Sequence, residues 1–157
     1  MQLNAFHFNG LPTTVVHSVE AMELNLNGES YEVASVGGLR YHLPKISDKR
    51  FAEVWLYSDS GWPAICALIN GAAAWLMFLR GDGDSGFSTR NPNFAGPKDA
   101  VIEYFLSNGQ RDEYPAEWDI TTAEALRALE YFMEKEEMAP WLHWHKESTP
   151  TTPESIP

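Results

Sequence analysis

Apolar positions along this chain crowd into runs whose spacing and punctuation define elements, most clearly from residue 52 onward. The segments "AICALI" and "AAAWLMFL" flank Asn70-Gly71. A two-residue type I′ turn needs positive φ at both central positions, and Asn-Gly is its strongest short signal. The apolar character on both sides is continuous rather than alternating. That predicts a hairpin covered on both faces, at the centre of a sheet, because a helix would have to run through Asn-Gly mid-element. Upstream, "EVWLYSD" (Glu53 to Asp59) combines β-branched and aromatic residues and ends in the turn-formers "SDSGWP", which predicts a strand and a loop. A second hairpin is predicted downstream, "AVIEYFL" and "QRDEYP" across Ser107-Asn108-Gly109. Ile102, Tyr104 and Leu106 share one of its faces, and Pro115 stops its second strand.

The period then changes from two to about 3.6. In "TTAEALRALEYFMEKEE", Thr121 and Glu124 form a capping box, and Ala125, Leu126, Leu129, Phe132 and Met133 make one apolar stripe to lay on a sheet. Met138-Ala139-Pro140 is expected to end this helix. "WLHWH" alternates Trp141, His143 and His145 against Leu142 and Trp144, which suits a short extended segment docking its indoles.

The first third is less decisive. "LPTTVVHSVEAMELNLNG" fits a short helix capped by Ser18, with Ala21, Met22 and Leu26 inward and Gly28 at its end, and fits a strand equally well. "SYEVASVGGLRYHLP" suggests a turn around Gly37-Gly38 between short extended pieces. The ending "KESTPTTPESIP" has Ile156 as its one large apolar residue and is expected to be disordered from residue 148. No internal repeat is found. These elements predict one α+β domain over residues 1–147, a mainly antiparallel β-meander of about five strands with a C-terminal helix packed on it.

Composition narrows the function. With 157 residues, 44% of them hydrophobic, and six Trp, the chain has the size and apolar content of a packed domain. No stretch approaches the roughly 18 uncharged apolar residues of a membrane span. The single Cys66 cannot make an internal disulfide, and the N-terminal stretch has no basic leader, so cytoplasm is the expected compartment. Charge changes the picture most: 22 acidic against 11 basic residues give a net charge of −11. Such a surface repels phosphate backbones and anionic lipid, which argues against direct nucleic-acid or membrane partners. A basic protein partner would instead be steered onto it.

Candidate chemistry is sparse. "DGDSG" alternates Asp82 and Asp84 as a calcium loop does, but Phe87, Ser88 and Thr89 offer no closing Glu, so a turn is the better reading. The tripeptide Arg80-Gly81-Asp82 is too short to carry an adhesion reading. His143 and His145 would share a strand face, yet no further donor stands at zinc-ligand spacing. Cys66 sits among Ile65 and Leu68, as a buried hydrophobe does. There is no phosphate-cradling loop, nucleophile elbow or dinucleotide fingerprint. A non-enzyme without cofactor or metal is therefore expected. The remaining acids fall in two places, Asp82 and Asp84 after the central hairpin and Asp112, Glu113, Glu117 and Asp119 at the exit of the second. Aromatics lie among them, and carboxylates set beside Tyr114 and Trp118 combine steering charge with anchoring area. The candidate partner-binding residues are Asp112, Glu113, Tyr114, Glu117, Trp118, Asp82 and Asp84. The same acids could also serve only as a solvated edge that keeps the sheet from pairing.

The string "NGAAAWLMFLRGDGDSGFSTRNP", then "FLSNGQRDEYPAEW", a single helix and "PWLHWH", resembles the immunity protein 1 family of bacterial polymorphic toxin systems. The likeness spans roughly Ala52 to His145, with the Gly-Asp-x-Gly-Phe-Ser-x-Arg-Asn-Pro and Leu-Ser-Asn-Gly-Gln-x-Asp-Glu-Tyr-Pro strings in the family's order. The resemblance implies an α+β protein that stays in the producing cell's cytoplasm and binds a cognate toxin domain, members of the family including inhibitors of secreted DNA deaminase toxins. Two other classes stay open on the residues alone. One is a small enzyme using a carboxylate or histidine between helix and sheet, and the other is an adaptor for an ordinary cellular protein.

Overall fold

The computed structural model describes residues 20–47 and 49–149. The elements in chain order are β1 (Met22–Leu26), β2 (Glu29–Val33), α1 (Val36–His42), α2 (Pro44–Ser47), β3 (Phe51–Tyr57), β4 (Ala64–Asn70), β5 (Ala73–Leu79) and β6 (Phe87–Arg90). There follow β7 (Val101–Phe105), β8 (Arg111–Pro115), a 3-10 turn (Ala116–Trp118), β9 (Ile120–Thr121), α3 (Thr122–Lys135) and β10 (His143–Lys146). The main sheet runs β10-β6-β5-β4-β3-β1-β2, with β9 also paired to β5, while β7 and β8 form a separate hairpin. All pairings are antiparallel, and β3 to β6 make the expected meander. The class is α+β as expected, but the described residues hold ten strands rather than about five. Of the five that sequence alone does not count, β2 (ESYEV) and β10 (HWHK) are polar sheet edges, while β6 (FSTR) has four residues and β9 two, too short for an apolar pattern to register. The fifth, β1 (MELNL), lies in the stretch that fitted helix and strand equally.

Two further expectations are settled or revised. Residues 22–26 are strand, with Met22, Leu24 and Leu26 buried and Glu23 exposed, and the chain turns at Asn27 and Gly28 through φ of 51° and 88°. Ser18, the candidate cap of the helical alternative, lies outside the described residues. At Gly37-Gly38 the chain is helical, not a turn between extended pieces: Ser35 caps α1 by accepting from the Gly38 amide at 3.0 Å. Two glycines cost a helix about 2 kcal/mol against alanine. Burial of Leu39 in the core, and the Arg40 guanidinium held by Glu130 of α3 at 2.7 Å, offset that locally unfavourable choice.

The helix α3 carries the expected capping box of Thr121 and Glu124. It ends at Glu136, whose left-handed φ of 54° closes the last turn three residues before the Ala139-Pro140 stop. Its Ala125, Ala128, Leu129 and Phe132 are fully buried against Leu24, Leu56, Ile65, Leu76 and Phe78, forming the larger core. The opposite sheet face carries a smaller cluster, Cys66, Leu68, Trp75 and Tyr104, roofed by the β7–β8 hairpin. The strand β4 is thus buried on both faces, which explains its unbroken apolar run. The expected tail from residue 148 falls mostly outside the described residues; within them Thr149 shares a 2.9 Å hydroxyl bond with Ser85. No helix of the described residues is long and apolar enough to cross a membrane.

Candidate partner-binding face

The hairpin side of the sheet brings together residues distant in sequence. Strand alternation places Glu53, Trp55 and Tyr57 of β3 on this side, while Ala52, Val54 and Leu56 face the helix. Read through the pairing register, Trp55 lies in one cross-strand row with Cys66, Met77, Ser88 and His145. Above this row stands an aromatic ladder. Tyr114 stacks on Trp75 with centroids 4.5 Å apart and on Trp118 at 5.9 Å, and the Arg90 guanidinium lies 3.8 Å over the Trp118 ring. Arg90 is itself held by Glu147 at 3.0 Å, so the far strand β6, the 3-10 turn and the C-terminal segment are locked through one indole.

Of the sequence-predicted residues, Asp112, Tyr114 and Trp118 converge. The Tyr114 hydroxyl donates to Asp112 at 3.1 Å, and burial together with the adjoining carboxylate raises its pKa. Glu113 points to the other side of β8, where Arg111 bridges it to Glu103. Glu117 is exposed on the 3-10 turn beside Trp118. The loop acids divide. Asp82 is exposed, whereas Asp84 turns inward, accepts from the Arg80 amide at 2.8 Å and is gripped by the Arg80 guanidinium at 2.7 Å. These hydrogen bonds hold its carboxyl well below the usual range. Gly86 closes the same loop at φ of 77°, with the Phe78 carbonyl 2.6 Å from where a Cβ would sit. Much of "GDGDSG" is therefore architecture.

Beneath the hairpin lies a buried polar pair. The Tyr104 hydroxyl donates to Asp119 at 2.5 Å, and the second Asp119 oxygen and the Trp75 indole N–H are buried without partners. Burial pushes the Asp119 carboxyl up to about 6, the Tyr104 bond acting in the opposite direction. Cys66 is buried and its thiol is raised by that burial. His143 and His145 are both exposed on β10, and among the described residues no group of three or more His, Cys, Asp or Glu could hold a metal. Sequence reasoning missed Arg90, Trp75 and the β3 aromatics as parts of this face. The signal for β3 was present in its strict alternation, while the Arg90–Trp118 contact joins residues with no local pattern between them.

Of the ladder, Trp75 is buried while Tyr114 and Trp118 are half-buried, with Asp112 and Glu117 beside them. No curated protein sequence matches the chain. The sequence profile of the family described as Immunity protein Imm1 matches residues 23–146, which covers the sheet, the β7–β8 hairpin and α3. The chain belongs to the Imm1 immunity protein family.

Proposed function

We propose that this protein neutralises a cognate bacterial toxin domain, a deaminase or nuclease acting on nucleic acid, by covering the basic groove that admits the substrate. It acts without catalysis or cofactor, in the cytoplasm of the producing cell. The observation that carries this reading, beyond family membership, is the Trp75–Tyr114–Trp118 ladder flanked by Asp112 on a chain of net charge −11. Rings supply buried contact and acids supply steering toward a basic surface. Asp112, Tyr114, Glu117 and Trp118 form the contact, Glu113 on the other side of β8 and Asp82 add peripheral charge, and Asp84 shapes the loop that presents Asp82.

The test is co-expression with the toxin domain encoded beside this chain, scoring survival for the native chain and for Asp112→Lys/Glu113→Lys. Rescue is expected from the native chain and lost with the folded double variant, whose association rate falls about tenfold at low salt. Rescue by both would move the interface off this hairpin, and death with a well-folded native chain would end the immunity reading.

A further inference from the structure

The β7–β8 hairpin carries Asp112 and Tyr114, yet among the described residues its two strands pair only with each other and not with the main sheet. Side chains join it to the sheet at three points. Near the base, the Tyr104 hydroxyl donates to Asp119 at 2.5 Å, and at mid-strand the Asn70 side-chain amide donates to the Glu103 carbonyl at 2.9 Å. The third point is the turn, where residues 107–110 are exposed and the Ser107 backbone amide donates to Glu53 Oε2 at 2.7 Å.

Glu53 holds two layers at once. Its Oε1 accepts from the Trp55 indole at 2.8 Å, so each carboxylate oxygen takes an N–H from a different layer, Trp55 on the main sheet and Ser107 on the hairpin. The Glu53 backbone is fixed as well, its amide donating to the Asn27 side-chain oxygen and its carbonyl accepting from the Asn27 amide, both at 2.8 Å. The turn that carries Asn27 also abuts the hairpin turn, since a Cβ at Gly28 would lie 3.8 Å from the Ser107 Cβ. Among the described residues no lysine or arginine forms an ion pair with Glu53. A half-buried carboxylate without a cation costs free energy unless N–H donors answer it, and a glutamine could accept from only one of these two donors through its single oxygen. The two donors therefore account for an acid at this position.

We propose that Glu53 is a positioning residue for recognition, which ties the hairpin turn to the sheet and so sets Asp112 and Tyr114 in place before the toxin arrives. A hairpin pinned only at its base and middle swings most at its turn, and ordering a loose segment on binding subtracts from affinity. The toxin as partner rests on the immunity reading; the tie between turn and sheet does not.

Ser107→Pro isolates the tie. The Gly109 amide donates to the Leu106 carbonyl at 2.9 Å, and of residues 106–109 only Gly109 has positive φ, so Ser107 is the second residue of a turn that favours proline there. The substitution removes the amide donor and keeps the net charge of −11, whereas Glu53→Gln removes one acceptor oxygen and one steering charge. Ala128→Gly within α3 serves as the control for a general loss of stability. In the full chain without toxin, Glu53→Gln should speed hydrogen exchange about tenfold at the Ser107 amide or at the Trp55 indole, whichever the glutamine oxygen leaves, and Ala128→Gly at neither. Each of Glu53→Gln and Ser107→Pro should bind the toxin domain about fivefold more weakly, the double variant within about twofold of the weaker single, and Ala128→Gly within about twofold of native. Undiminished toxin affinity in Ser107→Pro, additive losses in the double variant, or an equal loss from Ala128→Gly would overturn the positioning role and leave the immunity reading standing. Failure of the native chain to bind the toxin would overturn the immunity reading and the toxin as partner. Unchanged exchange at both N–H groups in Glu53→Gln would overturn the tie itself, whatever the toxin does.

Discussion

The two faces of the central sheet solve different problems with the same strands. Against α3, Leu24, Leu56, Ile65, Leu76 and Phe78 meet Ala125, Leu129 and Phe132, all of them buried and apolar. On the hairpin side, the rows hold Glu53, Trp55, Cys66, Trp75 and Tyr104, with a buried carboxyl and an unpartnered indole among them. The first face maximises area removed from water, the dominant favourable term in folding. The second mixes buried rings, Trp75 and Tyr104, with half-buried ones, Trp55, Tyr114 and Trp118, all of which carry polar handles. Under the proposed function, stability and recognition are separated by one β-strand's alternation.

The largest expected effect comes from breaking the helix side. Phe132→Ala should cost about 3–5 kcal/mol in urea unfolding, because it empties a site that is fully buried against Phe78. Toxin affinity of the fraction that remains folded should be unchanged; a matching loss of affinity would mean the two faces are coupled.

Trp118→Ala reverses the balance. The ring is only half-buried, so the loss of stability should be near 1 kcal/mol, while toxin binding loses about 2 kcal/mol, read as a faster dissociation. An unchanged dissociation rate would remove this indole from the interface and leave it as the clamp for Arg90.

The smallest effect sharpens the polar character of the hairpin side. With its carboxyl raised to about 6, Asp119 keeps its proton in the folded chain between about pH 4 and pH 6, where the unfolded chain has released it. The folded state then binds more protons, so the contribution of this group to stability falls as pH rises through that window. Asp119→Asn should therefore gain about 1–2 kcal/mol on the native chain between pH 4 and pH 6.5, after allowance for partial solvent screening. A difference that stays flat with pH, measured by denaturation at each end of the window, would show an ordinary carboxyl.

Legibility followed the same division. The β4–β5 hairpin, the β7–β8 hairpin and α3 could be read because each is marked within a few residues, by Gly71, by Gly109 and by a capping box before an apolar stripe. The first turn is not the expected type I′ over Asn70-Gly71, since Asn70 ends β4 opposite Ala73 and the positive φ falls on Gly71 alone. The helix through Gly37-Gly38 could not, since its propensity is poor and Leu39 has to find a core assembled from distant segments. For the candidate face, Asp112, Tyr114 and Trp118 were found together because they are close in sequence. Their partners Trp75 and Arg90 were not, because only sheet register brings those residues beneath and beside them.

Local patterning thus determined the strands β3, β4, β5, β7 and β8 and the helix α3, that β4 is covered on both sides, and that any partner must tolerate a strongly acidic chain. Tertiary structure decided what lies on which face: that Asp84 is consumed by Arg80, that Glu113 turns away from Tyr114, and that Glu23, Glu32 and Tyr57 share a row. The physical reason is range. Periodicity and turn chemistry act over a few residues, whereas cross-strand neighbours and ring stacks depend on register, which is settled only when the whole apolar set is buried at once.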